Sequence, residues 1–63
     1  MKVTRRQAEI LELIGSGLSD KEVGHKLGVS QSTIRTHLKR LYRQHGVHSR
    51  AEAVVEWFAE KDR

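Results

Sequence analysis

The sequence predicts an all-α fold, a bundle of four short helices. Three observations carry that expectation. Helix-start signatures of the form Ser/Thr-x-x-Glu/Gln stand at Thr4–Gln7, Ser19–Glu22 and Ser49–Glu52, and each can satisfy backbone N–H groups that a helix start leaves orphaned. Within the segments that follow, apolar residues return every three or four positions, the repeat of one helix face. Proline is absent, while Leu, Glu, Lys, Arg and Ala are plentiful, which suits helix interiors.

The first helix is expected over about residues 5–16, opened by Thr4-Arg5-Arg6-Gln7 with Val3 stapled onto Ala8. Ala8, Leu11, Ile14 and Leu18 form its inward stripe and Ile10 lies on the flank. Gly15 and Gly17 close it near Ser16. The second helix, about 20–27, starts from Ser19-Asp20-Lys21-Glu22 and turns Val23 and Leu27 inward. Gly24 sits inside it at a cost of roughly 1 kcal/mol relative to Ala, so a close approach by the neighbouring helix is expected there. Gly28 supplies the left-handed residue that ends it.

The third helix, about 31–45, is capped by Ser30, with Val29 stapled onto Ile34. Ile34, Leu38 and Leu41 form its inward stripe. At about 100° per residue, Ser32, Thr36, Lys39 and Arg43 lie roughly opposite, with Arg35 and Arg40 on either side. Gly46 ends it and Val47 returns to the core. The fourth helix, about 50–60, begins at Ser49-Arg50-Ala51-Glu52. Ala51, Val54 and Phe58 are expected to face the core. Val55, Trp57 and Ala59 widen its apolar arc.

Two short capped helices joined by the tight turn Gly28-Val29-Ser30 make a helix-turn-helix, a motif whose second helix lies in the DNA major groove. The charge pattern agrees. No Asp or Glu occurs from Val23 to Ala51, whereas Lys26, Arg35, Lys39, Arg40, Arg43 and Arg50 all fall there. Such a surface calls for a polyanion. Arg35 and Lys39, one turn apart on the exposed face, can each donate to guanine O6 and N7, and Thr36 between them can meet a thymine methyl or a phosphate. Lys21, Arg40, Arg43 and Arg50 are candidate phosphate contacts, which position a protein without reading sequence. Ser30, Gln31, Ser32 and Thr33 begin a helix whose free amides favour a phosphate.

Composition bounds the alternatives. The chain has 63 residues and a net charge of +4, one small basic domain with a marginal core. Without cysteine it has no disulfide or thiolate metal site. His25, His37, His45 and His48 lack helical zinc spacing and close carboxylates, so no metal or other cofactor is expected. Tyr42, Trp57 and Phe58 are too few to form a stacking platform for single strands. The longest apolar runs are three residues, Ala53-Val54-Val55 and Trp57-Phe58-Ala59, too short for a membrane span or a secretory segment, and a cytoplasmic location is expected. A membrane-surface helix is disfavoured, because caps and turns alternate where one long amphipathic helix would be needed. Gly15-Ser16-Gly17 is too short for a phosphate loop, and no catalytic arrangement is present, so the protein is not expected to be an enzyme.

The chain resembles the LuxR/GerE-type DNA-binding domain of bacterial transcription regulators. The resemblance rests on Thr4-Arg5-Arg6 with Ile10-Leu11 and Leu13, then Gly17-Leu18-Ser19-Asp20-Lys21-Glu22-Val23. It continues through Leu27-Gly28-Val29-Ser30, Thr33-Ile34-Arg35-Thr36-His37, Leu41, Val47, Arg50 and Ala53-Val54. It implies a four-helix domain whose third helix reads the major groove and whose fourth commonly forms a two-fold dimer contact. The family's base-reading positions fall on Arg35, Thr36 and Lys39. Its backbone anchors fall on Ser30 to Thr33, Lys21, Arg40, Arg43 and Arg50. The chain departs from the family in having Gln7 where Glu is usual, Gly15 and Gly24 where Ala is usual, and Gln44-His45 in place of a usual Lys-Leu pair. The resemblance implies either a stand-alone small regulator of the GerE type or the C-terminal domain of a larger one.

The function expected is sequence-specific binding of double-stranded DNA and regulation of transcription. A two-fold dimer would bind an inverted repeat, with half-site centres about one helical turn apart. Val55, Trp57 and Ala59 are the dimer-surface candidates, although Trp57 could instead fold back against the first helix. Glu52, Glu56, Glu60 and Asp62 make that end acidic and turn it away from the duplex. The competing class is a protein-interaction module that docks RNA polymerase or a partner regulator through the broad apolar arc of the fourth helix.

Overall fold

Each helix begins where a side chain can hold its first free amide. A computed structural model describes residues 1–61 of the chain, with helices α1 (Arg5–Gly15), α2 (Asp20–Leu27), α3 (Gln31–His45) and α4 (Arg50–Lys61). Thr4 and Gln7 form a reciprocal capping box, as do Ser19 and Glu22. Ser30 Oγ accepts from Thr33 N at 3.1 Å. At α4 the box is stretched. Ser49 Oγ accepts from Glu52 N at 3.1 Å, but the Glu52 carboxylate accepts from His48 N, one residue beyond the cap.

α1 sits between two apolar clusters. Ile10 and Ile14 join Val23, Ile34 and Leu38, tying α1 to α2 and α3. Leu11 joins Leu41, Val47 and Ala53, tying α1 to α3 and α4. Two sequence expectations are corrected by this packing. Ile10, expected on the flank, is fully buried, because α1 is covered from both sides and uses a wider arc than one stripe. Ala51, expected in the core, is exposed, and Ala53 takes its place. α4 is therefore turned by less than a quarter turn from the face first assigned to it: Val54 and Phe58 remain on the packed side, half-buried, and Ala53 joins them in place of Ala51.

Four departures from the family pattern have structural reasons. Gln7 is buried, and its Nε2 donates to Gln44 Oε1 at 3.3 Å. The two unusual residues thus form one contact, a neutral amide pair in place of an ionic one. Gln7 is the buried member and Gln44 the exposed one, and a neutral group at position 7 avoids the desolvation cost of a buried charge. At Gly15 a Cβ would collide with the ring of Phe58, which packs directly against that residue of α1. At Gly24 a Cβ would lie 2.7 Å from the Val29 carbonyl oxygen. That close approach is by the turn leading into α3, and it seats the two helices of the motif together. Gly28 ends α2 at φ 73, a left-handed conformation that glycine adopts without strain.

Candidate nucleic-acid interface

The orientation of α3 is fixed from behind. Ile34, Leu38 and Leu41 are buried, so the opposite face of the same rigid helix must point into solvent. Arg35, Thr36, Lys39, Arg40, Arg43 and Gln44 are all exposed there. The Thr36 hydroxyl donates to Ser32 O at 3.0 Å. With that hydrogen committed, Thr36 offers outward a methyl group and an acceptor.

The start of α3 gathers hydroxyls. Ser30 Oγ lies 3.1 Å from Ser32 Oγ and 2.9 Å from Thr33 Oγ1 while it caps the Thr33 amide. Ser30, Gln31 and Ser32 are exposed and Thr33 half-buried. These are short polar donors at the positive end of a helix, an arrangement suited to a phosphate oxygen. Lys21 is exposed on the first turn of α2, on the same side of the turn as Gln31, since both line one open groove. Glu22, on that turn, has its carboxyl held below its usual range, chiefly by the Ser19 backbone N–H and then by the Ser19 hydroxyl.

Arg50 is placed differently from the other candidate phosphate contacts. Its guanidinium meets Oδ1 of Asp20 at the start of α2. Oδ2 of the same carboxylate lies 3.7 Å from Arg35 Nε. Asp20 therefore bridges α2, α3 and α4. Sequence reasoning placed Asp20 in a capping box and missed this role. Its signal was present: Asp20 and Glu22 are the last acidic residues before the acid-free stretch. The same cleft is lined by Leu38, Lys39 and Tyr42. Burial pushes the Tyr42 hydroxyl above its usual range.

The candidate dimer residues separate. Val55 is 68% exposed, and Ala59 is exposed one turn later. Trp57 is the correction: it packs half-buried against the Leu11, Leu41, Val47 and Ala53 cluster, with its indole nitrogen buried. A large ring beside the α1–α4 junction removes more apolar area from water there than it would on an open face. With Ala51, the exposed residues Val55 and Ala59 form a narrow stripe at i, i+4 and i+8. Glu52, Glu56 and Glu60 are exposed on α4 as well, giving an acidic end apart from basic α3; Asp62, counted with them, lies outside the described residues.

Among the described residues no helix is long and apolar enough to cross a membrane, and no group of three His, Asp or Glu side chains could hold a metal ion.

Comparison with known proteins gives the same architecture. The chain is 40% identical over 52 residues to the HTH-type transcriptional regulator MalT of Vibrio cholerae serotype O1, covering 82% of this chain and 6% of that protein. It is 42% identical over 54 residues to MalT of Yersinia pestis, covering 86% of this chain and again 6% of the relative. The chain thus spans a small fraction of the length of these curated relatives. The crystal structure of the response regulator ChrA of a heme-sensing two-component system superposes with a TM-score of 0.87 at 31% identity, over 97% of this chain and 30% of that one. Residues 1–57 match the GerE family, bacterial regulatory proteins of the luxR family. A buried apolar stripe on α3, a basic face opposite it and this match lead to one conclusion: the chain belongs to the luxR family of bacterial regulatory proteins, as a helix-turn-helix DNA-binding domain and not an enzyme.

Proposed function

We propose that this domain binds double-stranded DNA sequence-specifically and regulates transcription, as a two-fold dimer on an inverted repeat. The observation that carries the reading is the exposed face of α3, basic and with no acidic residue in the helix itself, on a helix locked by the three buried residues behind it. Arg35 and Lys39 donate to base edges in the major groove, and Thr36 meets a thymine methyl. Lys21, Arg40 and Arg43 neutralise phosphates, and Arg50, already paired with Asp20, offers a phosphate its remaining donors; Ser30, Gln31, Ser32 and Thr33 contribute hydroxyls, an amide and the helix start. The Ala51-Val55-Ala59 stripe is the dimer contact, and the acidic side of α4 faces away from the duplex. Action on DNA places the protein in the cytoplasm, where RNA polymerase is available as a further partner.

Selection of bound duplexes from a random pool at near-physiological salt tests this reading. An enriched inverted repeat is expected, with half-site centres about one helical turn apart. Val55→Glu is expected to retain half-site preference and lose the two-fold repeat, because it buries a charge in an apolar contact. Binding without any enriched motif would reduce the function to nonspecific DNA association. No retention of DNA would put a protein-docking role first.

A further inference from the structure

We infer that Asp20 is a positioning residue for guanine readout: its carboxylate, anchored by Arg50, aims the guanidinium of Arg35 at a base. The inference rests on the proposed base-reading role of Arg35 and deepens it by naming the base class and the residue that fixes the geometry.

The argument starts from the arginine. A guanidinium has five N–H donors, and two-point recognition of guanine needs a parallel pair of them on O6 and N7. Arg35 is 62% exposed and long, so unaided it must give up considerable rotamer freedom when it binds. Asp20 restricts that freedom from one side. Its Oδ2 lies 3.7 Å from Arg35 Nε, an ion-pair separation, so the carboxylate is engaged at the secondary nitrogen. The four N–H donors of the terminal nitrogens supply the pair that a guanine edge requires.

The carboxylate is itself held. Asp20 is 18% exposed, against 41% for Arg50, whose guanidinium occupies the other oxygen, Oδ1. Asp20 is the first residue of α2, where the positive end of the helix favours a negative charge. Lys39 lines the same cleft, so the carboxylate faces cations from α3 and α4. An acid on a DNA-facing surface repels phosphate, so its presence weakens nonspecific binding. Asp20 thus raises discrimination in two ways: it orders Arg35 and it disfavours binding by charge alone.

The test is duplex selection with wild type, Asp20→Asn and Arg35→Ala, each read as base preference at every position and as the ratio of specific to nonspecific affinity. Asp20→Asn keeps the side chain's shape and leaves the Ser19–Glu22 capping box in place; Asp20→Ser, also compatible with a helix start, is the second variant. The expected result is a guanine preference that both Arg35→Ala and the Asp20 variants relax at the same base pair. The Asp20 variants should lose about tenfold in discrimination at that pair and gain about threefold in nonspecific affinity. If Arg35→Ala erases the preference while both Asp20 variants keep it, the positioning role is overturned and base reading by Arg35 stands. If the Asp20 variants weaken every duplex equally, Asp20 is only structural and the inference fails. If Arg35→Ala leaves the preference intact, base reading by Arg35 fails and the inference with it.

Discussion

Arg43 offers a measurement in which folding and DNA binding separate. It is exposed near the end of α3, and among the described residues no carboxylate pairs with it. Replacing it with alanine therefore empties no buried position and breaks no ion pair among the described residues. The folding cost is limited to its favourable position in the last helical turn, about 0.5 kcal/mol. Its DNA contribution is larger. Each phosphate neutralised by a cation contributes about 0.9 to the slope of log affinity against log salt. At about 0.15 M salt that release corresponds to roughly 1 kcal/mol per contact. A two-fold dimer loses two such contacts, so Arg43→Ala should weaken binding by about 2 kcal/mol, roughly thirtyfold, and reduce the slope by about 1.8. Fluorescence anisotropy of a labelled duplex, titrated at several salt concentrations with the selected repeat and a scrambled control, measures both quantities. The two duplexes should weaken by the same factor. A fall in affinity with an unchanged slope would refute the phosphate assignment, because the side chain would then be acting through the fold. A loss confined to the selected repeat would make Arg43 a base reader.

Leu11→Ala should test the small core directly. Leu11 is fully buried in the cluster that joins α1, α3 and α4, and its truncation should cost about 3 kcal/mol. In a domain of this size that is a large share of total stability; thermal denaturation followed by circular dichroism should show a much lower midpoint, and a shift of only a few degrees would mean that the site collapses around the cavity. Glu22 should make part of the stability pH-dependent. Its carboxyl is held below the ordinary 4.5 by the Ser19 backbone and side chain. That contribution is full above the unfolded value and disappears as pH falls through the lower folded value. Glu22→Gln, which can still accept from the Ser19 amide, should flatten this part of the acid limb of a stability–pH curve, and an unchanged acid limb would show that the box is not the source.

Legibility in the sequence followed the range of the interaction. Caps act over three residues, so Thr4–Gln7 and Ser19–Glu22 could be read from spacing, and each forms a reciprocal box. At Ser49 the same spacing gave a stretched version, since Glu52 reached the His48 amide. That choice depends on the path of the chain between Gly46 and α4. The buried stripe on α3 and the exposed basic face opposite it follow from helical periodicity alone. Ala51 and Ala53 differ by two residues and about 200° around a helix, so only the docking angle of α4 selects between them.

By itself the sequence determined the four helices, the turn at Gly28, the basic face of α3 and the family. All of these depend on residues within a turn or two of one another, or on charge that no packing can hide. Only the tertiary structure decided that Gln7 and Gln44 form one neutral pair, that Trp57 belongs to the core, and that Phe58 occupies the space a side chain at residue 15 would need. It also joined Asp20 to Arg35 and Arg50. These partners lie far apart in sequence, and neither periodicity nor composition encodes the angle at which two helices meet. That angle is set by how the side chains of α1 fill space against α2, α3 and α4, a condition that exists only once all the helices are packed.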